Sequence, residues 1–571
     1  MTDEEKTITP RSGRAPLAAD QARILALEPQ EALDAVLSHP RAGALVRSMP
    51  EEDLFVLVHE IGPDDCLEIL SMASPDQWRF FLDMDGWRED LMEFSALNGW
   101  LERLYRVDAD RLATMLAGTE REFFELWLSA YVTVIPLTEH DDPSDLAGEA
   151  FTLDGALYLK PKFTPGVSDA EKERVKGLLS GLLRRVADRD FPLFQAIVME
   201  SSGMVPGETR EDLFRQRNVR LAEQGFAPPH EAVAVYQHMA PDSLLRSPRR
   251  ALPREGEQEP TPVLLLPPVE GRAEPFTDAL ALVKSGNALW ALQAEFAGLC
   301  NLLLSADRVT VRSRDDLNKT VRKAAGYTSL GLDALCGDNP ARAADILSTR
   351  PLASVFRVGY SRALDLKFAA ERFRKAAWFT REKVPLTFFG ERHLGVLGGL
   401  LLARPKFFAN YEQGLLYREF ETPGDLIKTE DALSEAREID GLFARLDLPP
   451  GLAAVRPMTW DRALLTLFAR KQLGLAPEAS PVPMDGFRKL WPKLWSGRGK
   501  ARTISAKTRQ AFFDFIREQA KKEGGDALQN PALGRALDAL ISRLAAEYAK
   551  VGAKDLDPRF LPHFWVAGNE S

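Results

Sequence analysis

Metal, nucleophile and phosphate chemistry each leave a characteristic spacing in a sequence, and this chain carries fragments of all three. Its seven histidines are His39, His59, His140, His230, His238, His393 and His563. None stands in an HExxH or comparable pattern that would set two metal ligands on one helix face. His230 and His238 come nearest, but eight residues of helix turn through about 800° and leave them about 80° apart. Structural or surface histidine is the expectation. Asp83-Met84-Asp85-Gly86 looks like part of a calcium loop, yet Phe81 and Phe94 stand where further ligands belong, so it reads as a helix-ending turn. No GxSxG presents a serine nucleophile, and no CxxC offers redox chemistry. Ser496-Gly497-Arg498-Gly499-Lys500 is superficially like a phosphate loop. Leu494 replaces its first glycine, however, and Ala501 replaces the Ser or Thr that would hold magnesium. The acid pairs Asp64-Asp65 and Asp141-Asp142 become acid–base catalysts only if folding buries them and separates their pKa values. The expectation is therefore no catalytic, metal-binding or cofactor-binding residue and no cofactor, with an enzyme disfavoured.

One segment has a positive chemical reading. Phe487 to Arg509 holds Arg488, Lys489, Lys493, Arg498, Lys500, Arg502, Lys507 and Arg509 without an acid, beside Trp491 and Trp495. Cations neutralise phosphates and aromatic rings stack on unpaired bases, so RNA or single-stranded DNA suits it. The alternative is a basic surface docked on acidic parts of the chain, with both tryptophans in a core. Their spacing of four fits one helix face, although Pro492 interrupts it.

The acidic counterpart is the N-terminal quarter. Residues 1–150 contain 12 Lys and Arg against 31 Asp and Glu, a balance of −19, while the remaining 421 residues carry +9. Such asymmetry creates two surfaces of different sign. Cys66, Cys300 and Cys336, odd in number and far apart, fit neither disulfides nor zinc and imply a reducing compartment. The polar N-terminus lacks a secretory pattern, and the longest apolar stretch, Leu394 to Ala403, is half the roughly 20 residues that span a bilayer. A cytoplasmic protein without a membrane span is expected.

The elements that must position these residues are mainly helical. Prolines recur at Pro29, Pro40, Pro50, Pro63 and Pro75, usually followed by polar or acidic residues, which is a repeated start signal for short helices. Apolar residues follow at helical spacing, so the array must stack to bury its stripes. It extends to about Val134, with a capping box at Thr119 to Glu122. Phe151 to Leu159 reads as a β-hairpin about Asp154-Gly155. Ser168 to Glu171 is a second capping box, opening a helix whose stripe is Val175, Leu178, Leu179, Leu182, Leu183 and Val186. Further helical patterns cover 276–304, 341–347 and 352–379.

With 571 residues the chain holds three or four compact units on a prior of about 150 residues each. The expected division is a flexible tail at 1–20, an acidic superhelix at 21–135, and a helical domain with the hairpin at 136–240. A proline-rich linker or surface crossing follows at 241–274, then a helical domain at 275–475 and a basic helical segment at 476–571. The fold class is all-α.

Met49 to Trp87, MPEEDLFVLVHEIGPDDCLEILSMASPDQWRFFLDMDGW, resembles the superhelical cytosolic domain of MgtE-type magnesium transporters and the helical repeats of flagellar motor-switch proteins. The chain departs from the transporters in lacking a span, so transport is not implied. With Asp212 to Pro241, DLFRQRNVRLAEQGFAPPHEAVAVYQHMAP, it is similar to a bacterial family of soluble helical proteins known only as a domain of unknown function. That resemblance implies architecture and no site residues. An intracellular scaffold or adaptor for other proteins is the leading expectation. Its rivals are nucleic-acid or phosphate binding by the basic segment, an enzyme without a local motif, and cation sensing by the acidic array. Partner identity and oligomeric state are left open.

Overall fold

The computed structural model describes residues 15–568 apart from 138–149, 251–274, 498–501, 521–528 and positions 89, 224, 284, 310, 312, 413, 447, 450, 453, 454 and 456. His140, Asp141-Asp142, Arg498, Lys500, most of the expected tail and most of the proline-rich stretch lie outside these residues. The fold is mainly all-α, with a few short antiparallel strand pairs.

The proline signals work in three ways. After α1 (Ala15–Leu25), Pro29 begins α2 (Pro29–Leu37), where its missing amide costs no helical bond. Pro40 lies two residues before α3 (Ala42–Ser48), and Pro50 is the N-cap of α4 (Glu51–Ile61). Pro63 instead begins a turn closed by Asp65 N donating to Gly62 O at 3.0 Å, so α5 (Leu67–Met72) starts later than its proline suggests. Pro75 begins α6 (Pro75–Asp85), which has a complete capping box between Ser74 and Gln77. The Gln77 amide also donates to Val46 O and Met49 O, both at 2.9 Å, satisfying carbonyls at the end of α3.

A hairpin of β1 (Trp87–Arg88) and β2 (Leu91–Met92) leads into α7 (Phe94–Ala117). This helix kinks at Asp108, whose side chain accepts from Arg111 N at 3.0 Å and so caps the second half. The expected capping box at Thr119 to Glu122 does not form: Thr119 donates to Met115 O, and α8 (Arg121–Tyr131) has no side-chain cap. Helix also stops short of Val134. Residues from Val132 form β3 (Val132–Pro136), paired antiparallel with β5 (Leu157–Pro161), and β5 pairs in turn with β4 (Phe151–Thr152). The expected hairpin is thus two strands of a three-stranded sheet. Alternating β-branched residues in Val132-Thr133-Val134-Ile135 favour that outcome over another helical turn. Ser168 then caps α9 (Asp169–Arg189), with all six expected stripe residues buried. α10 (Phe191–Gly203) and α11 (Pro206–Glu223) complete a core that runs from Leu17 to Phe226 and takes in Leu304 and Val311.

The second core runs from Ala232 to Val566. Its helices are α12 (Pro229–Ala232), α13 (Pro241–Arg246), α14 (Pro275–Ala281), α15 (Gly286–Asp307), α16 (Arg314–Cys336), α17 (Pro340–Thr349) and α18 (Leu352–Ala376). They continue with α19 (Trp378–Arg381), α20 (Gly390–Leu400), α21 (Pro423–Arg445), α22 (Trp460–Gln472), α23 (Met484–Leu490), α24 (Ala506–Gln519) and α25 (Pro531–Tyr548). Strand pairs β6 (Phe407–Phe408) with β7 (Tyr417–Arg418), and β8 (Trp495–Ser496) with β9 (Thr503–Ile504), fill the corners. Of the described helices, only α15 is long and apolar enough to cross a membrane; it packs on α12, α16 and α18, burying Leu292, Phe296, Leu299 and Leu303.

The centre of this core is the crossing of α16 with α18. Gly331 and Gly359 allow backbone contact there, because a Cβ on Gly359 would collide with Tyr327 O and one on Gly331 with Val355 O. Gly359→Ala is expected to lower stability by about 2–4 kcal/mol through overpacking. Gly534→Ala, in α25 with open space around it, is expected to be neutral or stabilising by about 0.5–1 kcal/mol. Urea unfolding of both variants checks this, and equal effects would refute the tight crossing.

Candidate functional site

The beginning of α7 borders a recess of the N-terminal unit. A cleft of about 700 Å³ opens there, with His59, Asp85, Trp87, Ser95, Trp100 and Arg103 among its lining residues. The geometry follows from three helix ends. α4 supplies His59 from its last turn, α6 supplies Asp85 as its last residue, and α7 supplies Trp100.

Asp85 Oδ2 accepts from Trp100 Nε1 at 2.8 Å and lies 2.8 Å from His59 Nε2. His59 Nδ1 lies 2.9 Å from Phe55 O. The Trp100 ring stacks on Phe81 at 4.9 Å and is 2% exposed. Asp85 Oδ1 accepts no hydrogen bond from a described residue. It is one unspent acceptor of the cleft, which Glu93 also lines. Arg103, which covers Trp100 at 5.5 Å, holds Asp64 through two 2.9 Å bonds. Asp83 faces away from this trio and takes both 2.8 Å bonds of Arg220. The Asp83-Met84-Asp85-Gly86 segment does end a helix, and its carboxylates serve different partners.

A His–Asp contact invites comparison with acid–base catalysis, but the arrangement differs from a serine triad. There one imidazole nitrogen holds the carboxylate and the other faces the nucleophile. Here the second nitrogen is occupied by the Phe55 carbonyl. Ser95 lines the cleft without a hydrogen bond to His59. The geometry favours holding a ligand over activating one.

A smaller recess of about 190 Å³ shares Ser95 and Gly99 with the cleft and adds Asn98, Glu102, Glu171 and Arg174. The two adjoin at Ser95 and Gly99 on the first turns of α7, with the smaller one on the side of α9. Elsewhere on the unit a recess of about 470 Å³ is lined by Glu122, Glu125, Glu200 and Asp212. Arg121 bridges Glu125 and Glu200 at 2.6 and 2.8 Å. Burial raises the Glu125 pKa, Arg121 opposes this and Glu200 adds to it.

The basic segment is divided between packing and surface. Trp491, 1% exposed, donates to Val551 O at 3.0 Å and packs on Tyr548 and Phe564. Trp495 is half-buried beneath the Arg502 guanidinium, 4.5 Å from its ring. Arg502 also donates to Val551 O at 2.7 Å. Arg509 pairs with Asp538 at 2.7 Å, and Arg488 lies 3.9 Å from Asp485. Lys489, Lys493 and Lys507 are exposed.

The C-terminal core encloses another polar cluster. Lys323, 5% exposed, bridges Asp307 at 2.7 Å and Glu419 at 3.0 Å, while Lys406 reaches Glu419 at 2.6 Å. Tyr236 donates to Asp307 at 2.6 Å and Tyr327 to Glu419 at 3.1 Å; Arg404 also pairs with Asp307. Burial pushes the Glu419 pKa up, but the two lysines outweigh it and hold the carboxyl below its ordinary value. Burial raises the phenol pKa values of Tyr236, Tyr327 and Tyr360. These mutually satisfied groups pin α15, α16 and the β6–β7 corner together.

From residue 10 to residue 567 the chain matches one family, described as a family of unknown function, DUF6178. It belongs to that family. No curated protein matches this DUF6178 chain, and no solved structure does.

Sequence reasoning missed the pairing in this DUF6178 protein of His59 with Asp85, because 26 residues separate them and neither carries a ligand spacing. The available local signal was the Asp83–Gly86 helix end, read correctly as a turn but without its partners. α4 also hides an electrostatic feature. Burial raises the pKa of Glu52 and of Asp53 to about 7, with the neighbouring acids adding to it and backbone hydrogen bonding opposing it at Glu52. A raised carboxyl pKa contributes stability that is complete below the unfolded value near 4 and is lost as pH rises through about 7. Asp53→Asn is therefore expected to raise the melting temperature by about 5 °C at pH 8 and to change it little at pH 4. Thermal melts at both pH values check the difference; an equal shift at both would contradict it.

Proposed function

We propose that this DUF6178 protein is an intracellular helical scaffold whose acidic N-terminal array holds a segment of a partner protein in the cleft beside α7. Asp85 carries the reading: its Oδ2 is committed to His59 and Trp100, and its Oδ1 is free to accept from an incoming guanidinium or ammonium group. Charge complementarity supports a basic segment, since residues 1–150 carry a balance of −19. Half-buried Trp87 in the cleft lining supplies apolar contact beside that carboxylate, and exposed Leu91 lies opposite Arg88 in the adjoining hairpin. Long arrays of short helices offer extended surfaces to partners, which also supports the reading. The likeness of Met49–Trp87 to the cytosolic domain of MgtE-type transporters belongs with it, through the short-helix pattern alone. The 21–135 array is the partner-binding unit in this proposal, and 476–571 is a basic segment of the second core.

The test is selection of peptides from a random library on the full chain. Recovered peptides are expected to carry Arg or Lys beside an apolar residue. Their affinity should fall about tenfold or more on Asp85→Asn, the scale for losing a hydrogen bond to a charged group, and should be unchanged by Asp212→Asn in the acidic recess. Peptides insensitive to Asp85→Asn, or no peptides at all, would overturn the proposal.

A further inference from the structure

The C-terminal unit separates its cations into two classes. Arginines neutralise nearby acids: Arg488 lies 3.9 Å from Asp485, Arg509 2.7 Å from Asp538, and Arg559 2.7 Å from Asp557. Lysines do not. Lys489, Lys493, Lys507, Lys550 and Lys554 are all exposed, and none forms an ion pair with a described carboxylate.

Local contacts gather these lysines. Lys489 lies in the last turn of α23, and Lys493 follows one turn later in the 3-10 turn Trp491–Leu494. Thr508 donates to Lys493 O at 3.3 Å, which seats the start of α24, with Lys507, against that turn. Trp491 and Arg502 both donate to Val551 O, at 3.0 and 2.7 Å, and so bring the 550–554 stretch to the same corner. At the far end of that stretch Phe564 packs on Phe487 at 5.0 Å and on Trp491 at 6.2 Å. Between these anchors in sequence stands Phe560, 71% exposed, the most exposed large apolar side chain among the described residues, with the Arg559 guanidinium 5.8 Å from its ring.

We propose that this corner binds single-stranded nucleic acid. The unpaired lysines contact phosphates, and Phe560 supplies the stacking face that packed Trp491 and half-covered Trp495 do not. A single projecting ring beside dispersed lysines suits a flexible strand with accessible bases. A membrane surface would call for a broader apolar face, and an acidic protein would make no use of stacking.

Fluorescence anisotropy of a labelled oligothymidylate of about 20 nucleotides on the full chain tests this. Binding is expected at about 50 mM salt, weakening steeply as salt rises. The combined Lys489→Gln, Lys493→Gln and Lys507→Gln variant should flatten the log–log salt slope by about 2, from about 0.7 per lost phosphate contact. Phe560→Ala should weaken the oligonucleotide about tenfold and leave heparin unaffected, the fold-change of a lost stacked base. These side chains are exposed, so circular dichroism of the variants should match the parent. Absence of binding at low salt overturns the proposal. So does indifference of the oligonucleotide to either variant, which would mark general polyanion attraction, and so does preference for phosphatidylserine vesicles, which would mark a membrane surface.

Discussion

Backbone contact between α16 and α18 at Gly331 and Gly359 is the constraint from which the rest of the molecule is positioned. Side chains at that crossing would hold the helices apart. With them close, Tyr327 on α16 and Tyr360 on α18 meet at 5.0 Å, and Lys323 one turn earlier reaches Asp307 and Glu419. The same helix carries the order outward. At its first residue Arg314 pairs with Glu60 at 2.6 Å and donates to Leu27 O at 2.7 Å, so α16 is fastened to the N-terminal array. Glu60 adjoins His59 on α4. The cleft trio therefore rests, through one helix and one ion pair, on the central crossing.

Charge use sets that cleft apart from the neighbouring acids of the array. Asp83 is taken by Arg220, Asp64 by Arg103, and Glu125 by Arg121. Such pairs satisfy groups that burial would otherwise penalise, and exposed pairs like Asp64 with Arg103 add little stability of their own. Asp85 is different in having one oxygen committed and one without a donor among the described residues. The C-terminal corner repeats this pattern with opposite sign, where Arg488 and Arg509 face acids while Lys489, Lys493 and Lys507 pair with no described carboxylate. A surplus group at a structured surface is where a partner can gain most without displacing an internal bond.

Much of the helical architecture was legible because it is written locally. Ser168 as a cap and the six-residue stripe of α9 specify that helix before any tertiary contact is known. The third strand was hidden because β3 pairs with β5 across more than twenty residues. α16 was hidden for another reason. Its buried face includes Gly326, Thr328, Ser329, Gly331 and Lys323, which give no apolar periodicity, since the helix is buried by close approach and ion pairing. The basic segment was visible as charge, but charge does not tell a paired arginine from a free lysine, or Trp491 in a core from Phe560 on a surface. The His59–Asp85–Trp100 contact depends on three helix ends meeting, which no spacing within one element encodes.

The central claim is that a partner segment occupies the cleft beside α7. Hydrogen exchange of the full chain, with and without a bound basic peptide, tests it most directly. The account predicts slowed exchange in the Trp87–Met92 hairpin and in Phe94 to Arg103, where the cleft is lined, with the acidic recess at Glu122 and Glu200 unchanged. Protection confined to that recess, or none anywhere in the array while the peptide is bound, would contradict it.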